Sequence, residues 1–216
     1  MGCPSLDIVL GELLALGARN FLRVGTAGSL QQHVHFGDYV VARAAVRDEG
    51  TTARYAPLEF PALADHGLTH TLEGALAKRI GTRFHAGVVH CKDSLHAREF
   101  GEGPLADDNR RYMAVLTNCG VIASEMETSA LYVRTAIAAA KMSLKGPATG
   151  PLPRAAALLA IISDGAPFST RDLTPVTEEL IDISMDALRA FKKADLLHAG
   201  QTTSPRKSNG QTPQVQ

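Results

Sequence analysis

Four short stretches of this chain bring together side chains able to do chemistry. The first, RVGTAGSL at Arg23–Leu30, sets two glycines and a threonine behind an arginine. Gly25 and Gly28 would let backbone N–H groups approach an anion, Thr26 adds a hydroxyl donor, and the Arg23 guanidinium is a planar fork suited to phosphate oxygens. A tight turn ending a strand, with a surface arginine before it, would carry the same residues. The spacing is neither a Walker loop nor a dinucleotide fingerprint.

The second stretch, SEMETSA at Ser124–Ala130, flanks Met126 with Glu125 and Glu127 where a strand-like segment hands over to a helix. One carboxylate could accept hydrogen bonds from vicinal hydroxyls, as on a ribose, with the methionine as an apolar wall. Equally, carboxylates at a helix start are favoured by the helix dipole and need no ligand. The third, SDG at Ser163–Gly165, puts Asp164 at the end of a long apolar strand, as a general acid or as a turn-former. The fourth, CKDSLHAREF at Cys91–Phe100, is a polar loop whose Lys92, Asp93, His96, Arg98 and Glu99 could face a cleft. His96 alone reads more simply as a surface or core histidine.

The elements that would position these residues follow from periodicity. Ser5 can cap a helix over 6–16 that Gly17 stops, and a strand follows at 21–24. Further strands are expected at 39–45, 84–89 and 155–163, with helices at 68–80, 107–118, 127–141 and 175–193. Helices alternating with apolar strands predict an α/β layered fold. Residues 1–198 form one expected domain, 143–153 an inserted surface loop rich in glycine and proline, and 199–216 a polar disordered tail.

Composition narrows the partners. With 45% hydrophobic and 20% charged residues among 216, the chain has globular composition. Lys plus Arg and Asp plus Glu both number 22, so no net field draws it to nucleic acid or an anionic membrane. Cys3, Cys91 and Cys119 are widely spaced and odd in number, which argues against a disulfide framework. His33 and His35 have no supporting ligand spacing, so no metal centre is expected. No apolar run approaches the roughly 20 residues that span a bilayer, and the N-terminus lacks a basic n-region. A cytoplasmic protein is expected.

Taken together, FLRVGTAGSLQQHVHFGDYVVARAAVRDEGTTARYAPLEFPALAD, then KDSLH, then GVIASEMETSALYV, resembles the nucleoside phosphorylase family from roughly Met1 to Phe191. APLEFPALAD, Ala56–Asp65, is most similar to the uridine phosphorylase branch. The resemblance implies a mixed central sheet flanked by helices and a reversible phosphorolysis. In that reaction phosphate attacks the anomeric carbon of a nucleoside, the base departs, and ribose 1-phosphate forms with no metal or organic cofactor.

The resemblance also assigns roles. Arg23, Gly25 and Thr26 would bind phosphate, and Glu127 would hold the ribose with Met126 and Glu125 beside it. Leu95, and then Arg98 or Glu99, stand where the branch places an aromatic residue and a glutamine against the base. Asp164 resembles the aspartate with which purine nucleoside phosphorylases assist the leaving purine, which makes Asp164 and Glu127 the catalytic candidates. A purine nucleoside therefore stands beside uridine as substrate. Met1–Ser5 resembles the interior of the family's T-G-x-G-x-P-S segment. The expectation is a fold without its first strands and second phosphate-binding arginine, and a non-catalytic nucleoside-binding homologue is a third reading. Homodimers or hexamers are usual in the family, so a homo-oligomer is expected.

Overall fold

The computed structural model describes residues 2–144, 146, 150–165 and 171–202, with side chains up to residue 193. In chain order the elements are α1 (Cys3–Ala15), β1 (Asn20–Ser29), β2 (Tyr39–Asp48), a 3-10 turn (Thr52–Arg54), β3 (Ala62–Leu63), α2 (His66–Ile80) and β4 (Phe84–Lys92). They continue with α3 (Leu95–Arg98), α4 (Ala106–Asn118), β5 (Ala123–Glu125), α5 (Thr128–Ser143), β6 (Arg154–Ser163) and α6 (Thr174–Thr202).

The sheet is mixed, in the order β3-β2-β4-β5-β1-β6, and β6 turns back to pair with β2. That pairing is antiparallel, from Tyr39 opposite Ala160 to Val41 opposite Leu158. Strands β2, β4, β5, β1 and β6 therefore close on themselves, which leaves β3 on the rim. Both faces are covered. Ala155, Ala157, Leu159 and Ile161 of β6 join the core under α1 and α5. The alternate residues Ala156, Leu158 and Ala160 join the core under α2 and α6. A strand buried on two faces reads as an unbroken apolar run, and that is how AAALLAIIS, residues 155–163, was legible.

Several boundaries differ from expectation, each for a local reason. Helix α1 begins at Cys3 because Pro4, with its φ already helical, fits the first turn, and Gly2 enters it at a φ of 83°. Asp65 starts α2 by accepting the Leu68 amide at 2.9 Å. β1 runs on through Ser29, so the expected glycine turn after Val24 does not exist. Pairing with β6 continues through Thr26 and Ala27, and neither Gly25 nor Gly28 has a positive φ. Helix α6 extends to Thr202, so 199–202 are helical, and the rest of the expected tail, 203–216, lies outside the described residues. Of the expected 143–153 loop, Ser143 ends α5, and 145 and 147–149 lie outside the described residues. Among the described residues, no helix is long and apolar enough to cross a membrane.

Candidate active site

Strands β1 and β5 are antiparallel partners only at Gly28–Ser124 and Ser29–Ala123. Beyond Ser124 the chain runs back along β1, so Glu125, Met126 and Glu127 pass the stretch that leads down to Arg23. The Arg23 side chain fills the fork between them. Its Nη2 lies 3.2 Å from Glu125 Oε2 and donates to Glu127 Oε2. The guanidinium folds over Gly25, where a Cβ would stand 2.8 Å from Nη1 and 3.0 Å from Cζ. The glycine of R-x-G leaves room for the folded-over arginine, with no turn involved.

The two carboxylates have different work. Glu125 is buried and accepts the Glu127 amide at 2.8 Å and the Thr128 amide at 3.0 Å, which fixes the start of α5. The capping alternative for SEMETSA therefore holds for Glu125. Glu127 accepts the Gly2 amide at 2.8 Å and the Arg23 guanidinium, and its side chain keeps some solvent exposure. Burial alone would push the Glu127 carboxyl up, but the Arg23 charge and the Gly2 amide outweigh it and hold it below its ordinary value. Burial works against the Arg23 charge too, and Glu125 and Glu127 together still raise its pKa.

One donor is left over. Arg23 Nη1 is buried and has no hydrogen-bond partner among the described residues. Such orphaned guanidinium N–H groups are costly in a folded protein. A groove of about 840 Å³ opens beside it, lined by Arg23, Glu127, Gly2, Leu6, Leu10 and Phe21 among others. Thr26 does not join this cluster from the same side. Side chains alternate along a strand, so Arg23 and Gly25 share one face and Thr26 takes the other.

On that other face lies a second polar cluster. His90 and Lys92, on β4, are 0% and 2% exposed. Asp48 Oδ2 is 2.8 Å from His90 Nε2, so that nitrogen carries the proton, and Nδ1 accepts the Ser124 hydroxyl at 3.0 Å. Ser124 in turn accepts Lys92 Nζ at 2.7 Å, and Lys92 also pairs with Glu99. Arg98 holds Asp48 by two bonds of 2.8 Å, donates to Asn109 at 2.6 Å, and lies 4.4 Å above the Tyr112 ring. Burial would raise the Asp48 carboxyl, but His90 and Arg98 reverse this and bring it below its usual value.

The three base-loop candidates therefore separate. Arg98 is consumed by Asp48 and Asn109, and Leu95 is half-buried at the first position of α3. Glu99 gives one oxygen to Lys92 and directs the other, Oε2, to within 3.7 Å of the point where a Gly28 Cβ would stand. His96 is exposed beside Glu102 at 2.9 Å, a surface histidine. Asp48, His90 and Ser124 were not singled out by sequence. Their one signal is the pair of basic residues at alternate positions in VVHCK, unusual on a strand otherwise apolar.

Asp164 ties the end of β6 to a distant loop and to Arg171. It accepts the Phe36 amide at 3.0 Å and pairs with Arg171 at 3.2 Å. The Phe36 hydrogen bond, with Arg171 behind it, holds its carboxyl below the usual range.

Comparison with known proteins bears on this geometry. The sequence profile of the phosphorylase superfamily matches residues 1–192. The chain belongs to that superfamily. Its Arg23, Glu125 and Glu127 fork and its closed mixed sheet are thus features of a phosphorylase-superfamily protein. Among curated relatives, uridine phosphorylase of Treponema pallidum (strain Nichols) is 40% identical over 134 residues, which is 62% of this chain and 52% of that protein. Uridine phosphorylase of Escherichia coli (strain K12) is 46% identical over 96 residues, 44% of this chain and 38% of that protein. Guanosine phosphorylase of Halorubrum lacusprofundi is 33% identical over 132 residues, 61% of this chain and 50% of that protein. The chain spans about half the length, or less, of the curated relatives it matches.

Proposed function

We propose that this superfamily member performs phosphorolysis of a nucleoside, with uridine and inorganic phosphate converted to uracil and ribose 1-phosphate. The observation that carries the reading is the orphaned Arg23 Nη1, a buried cationic donor beside a groove and next to a partly open carboxylate. A phosphate oxygen is the acceptor such a donor lacks. Glu127 is the acceptor that vicinal ribose hydroxyls need, and Met126 follows Glu125 toward it. Phosphate oxygen bonds to the anomeric carbon while the C–N bond breaks and its electron pair leaves with the base. The residues act by position and charge, with no cofactor. Relatives named uridine phosphorylase support the choice of base.

A purine nucleoside is the second reading, supported by the relative named guanosine phosphorylase. The protein is a homo-oligomer in this reading, since Ile8, Val9, Leu13 and Leu16 leave α1 with exposed apolar residues that a subunit contact would cover. A cytoplasmic setting is part of the same proposal. The test is release of free base from uridine and from inosine by the purified chain, with and without phosphate, and with Arg23→Ala as control. Phosphate-dependent release lost in Arg23→Ala supports the reading. Turnover that ignores phosphate, or folded protein with none, overturns it and leaves a non-catalytic homologue.

A further inference from the structure

The Glu127 carboxylate is held from two directions, and the two holds differ in kind. Arg23 of β1 donates to Oε2, but its guanidinium is a charged, flexible side chain that phosphate also seeks. From the entry to α1, the Gly2 N–H donates to Oε1 at 2.8 Å. That donor is neutral backbone at the N-cap of a 13-residue helix, whose dipole favours a carboxylate at this end. The next residue extends the hold, since the Cys3 thiol donates to the Met126 carbonyl at 3.3 Å. Gly2, Arg23 and Glu127 all line the same groove. Gly2 reaches Glu127 with φ 83° and ψ 171°, a region that belongs essentially to glycine. A Cβ there would meet nothing closer than Pro4 Cδ at 3.8 Å, so glycine is required by the backbone angles and not by crowding.

Resting on the nucleoside reading above, we propose that Gly2 is a positioning residue, whose N–H keeps the Glu127 carboxylate aimed at the sugar while phosphate occupies Arg23. An anion on Arg23 competes with Glu127 for the guanidinium charge. Were the carboxylate anchored through Arg23 alone, it would be released as phosphate arrives, and the two substrates would oppose each other. The Gly2 amide has no net charge for the anion to draw on, and its bond to Oε1 outlasts that arrival. Backbone at the start of a helix also cannot swing away as a long side chain can. Phosphate and nucleoside can therefore occupy the groove together.

Titration calorimetry on the full chain tests this by comparing uridine affinity without anion and at saturating sulfate, which stands in for phosphate so that no turnover intervenes. The native protein is set beside Gly2→Ala and Asp7→Ala. Alanine at position 2 must leave the glycine-only region and turn its N–H away from Glu127. Asp7→Ala frees the same helix from Arg134 and Tyr55 with the Gly2 amide kept, and so reports general loosening of α1. Sulfate should leave uridine binding no weaker in the native protein and in Asp7→Ala. In Gly2→Ala it should weaken uridine about tenfold or more, the effect of one hydrogen bond to a charged group. If strain keeps Gly2→Ala from folding, Glu127→Asp makes the same comparison. Its shorter carboxylate draws back from the fixed amide while the flexible guanidinium follows it, and sulfate should again weaken uridine. A sulfate response unchanged from native in these variants, an equal change in Asp7→Ala, or native uridine binding that sulfate weakens would overturn the assignment. Binding of no uridine by folded native protein, with or without sulfate, would overturn the nucleoside reading itself, and the inference with it.

Discussion

The two faces of β1 treat buried charge in opposite ways. On one face Arg23 sits between Glu125 and Glu127 with a donor left over. On the other, the run from Asp48 through His90, Ser124 and Lys92 to Glu99 matches each donor with an acceptor. A matched buried network rigidifies what it joins. An orphaned guanidinium N–H is a cost to the fold. On the reading proposed above, the contrast separates a ligand site from a frame on the opposite face of the strand.

Arg23→Ala should show the contrast most strongly. Loss of the only guanidinium in the fork should lower phosphate-dependent kcat/KM by about a thousandfold, the upper range for removing one preorganised charge donor. Some destabilisation should accompany it, because Glu125 and Glu127 would lose their counter-charge. Steady-state base release, read beside thermal unfolding, separates the two. Activity retained within tenfold in folded protein would mean that Arg23 is a structural ion pair like those on the opposite face.

Asp48→Asn probes the frame. It leaves Arg98 and His90 without their shared carboxylate, and should cost about 2–3 kcal/mol, below the usual range for a broken buried pair because Arg98 keeps some solvent. Denaturant titration should show the loss while kcat/KM per folded molecule stays within about threefold. A large fall in turnover with stability intact would move this network from frame to catalytic machinery.

How much of this was legible follows the same division. The long elements were readable because burial on one or two faces writes a period into the sequence: β6 as an apolar run, α2 and α6 as helical spacing. β3 and β5, of two and three residues, are too short to carry a period, yet β5 is what brings SEMET alongside β1. Arg23 and Glu127 were each singled out from motif and resemblance, one for phosphate and one for ribose, but nothing in the sequence joined them as the ion pair the fold makes. The turn assigned to Gly25 was mistaken because a glycine that makes room for a folded-over side chain is indistinguishable in sequence from one that needs a positive φ. Asp48 lies 42 residues before His90, and nothing local joins them.

Gly25→Ala tests that account of the fork at a smaller scale. The new methyl would meet the far end of a flexible side chain at 2.8 Å, so the guanidinium can yield without unfolding the strand. Displacement by part of an ångström should raise the phosphate KM about tenfold, with stability changed by less than about 1 kcal/mol. A large loss of stability with unchanged phosphate KM would show that the glycine serves the strand.

The smallest effect is in acid. The Glu127 and Asp48 carboxyls both lie below their ordinary values of 4.5 and 3.8 in the folded chain. A depressed carboxyl contributes stability that is fully present above the unfolded value and is lost as pH falls through the folded one. Thermal stability should therefore be insensitive to these two groups from neutral pH down to about 5 and decline below it. In Asp48→Asn the part of the decline below 3.8 should flatten, whereas Glu127→Gln should flatten the part that begins below 4.5. Saturating phosphate should reduce the Glu127 contribution specifically, because an anion on Arg23 competes for the charge that depresses that carboxyl, and should leave the Asp48 contribution on the opposite face unchanged. A decline that phosphate alters equally in both variants would mean that the two faces are coupled through β1 and do not act as separate site and frame.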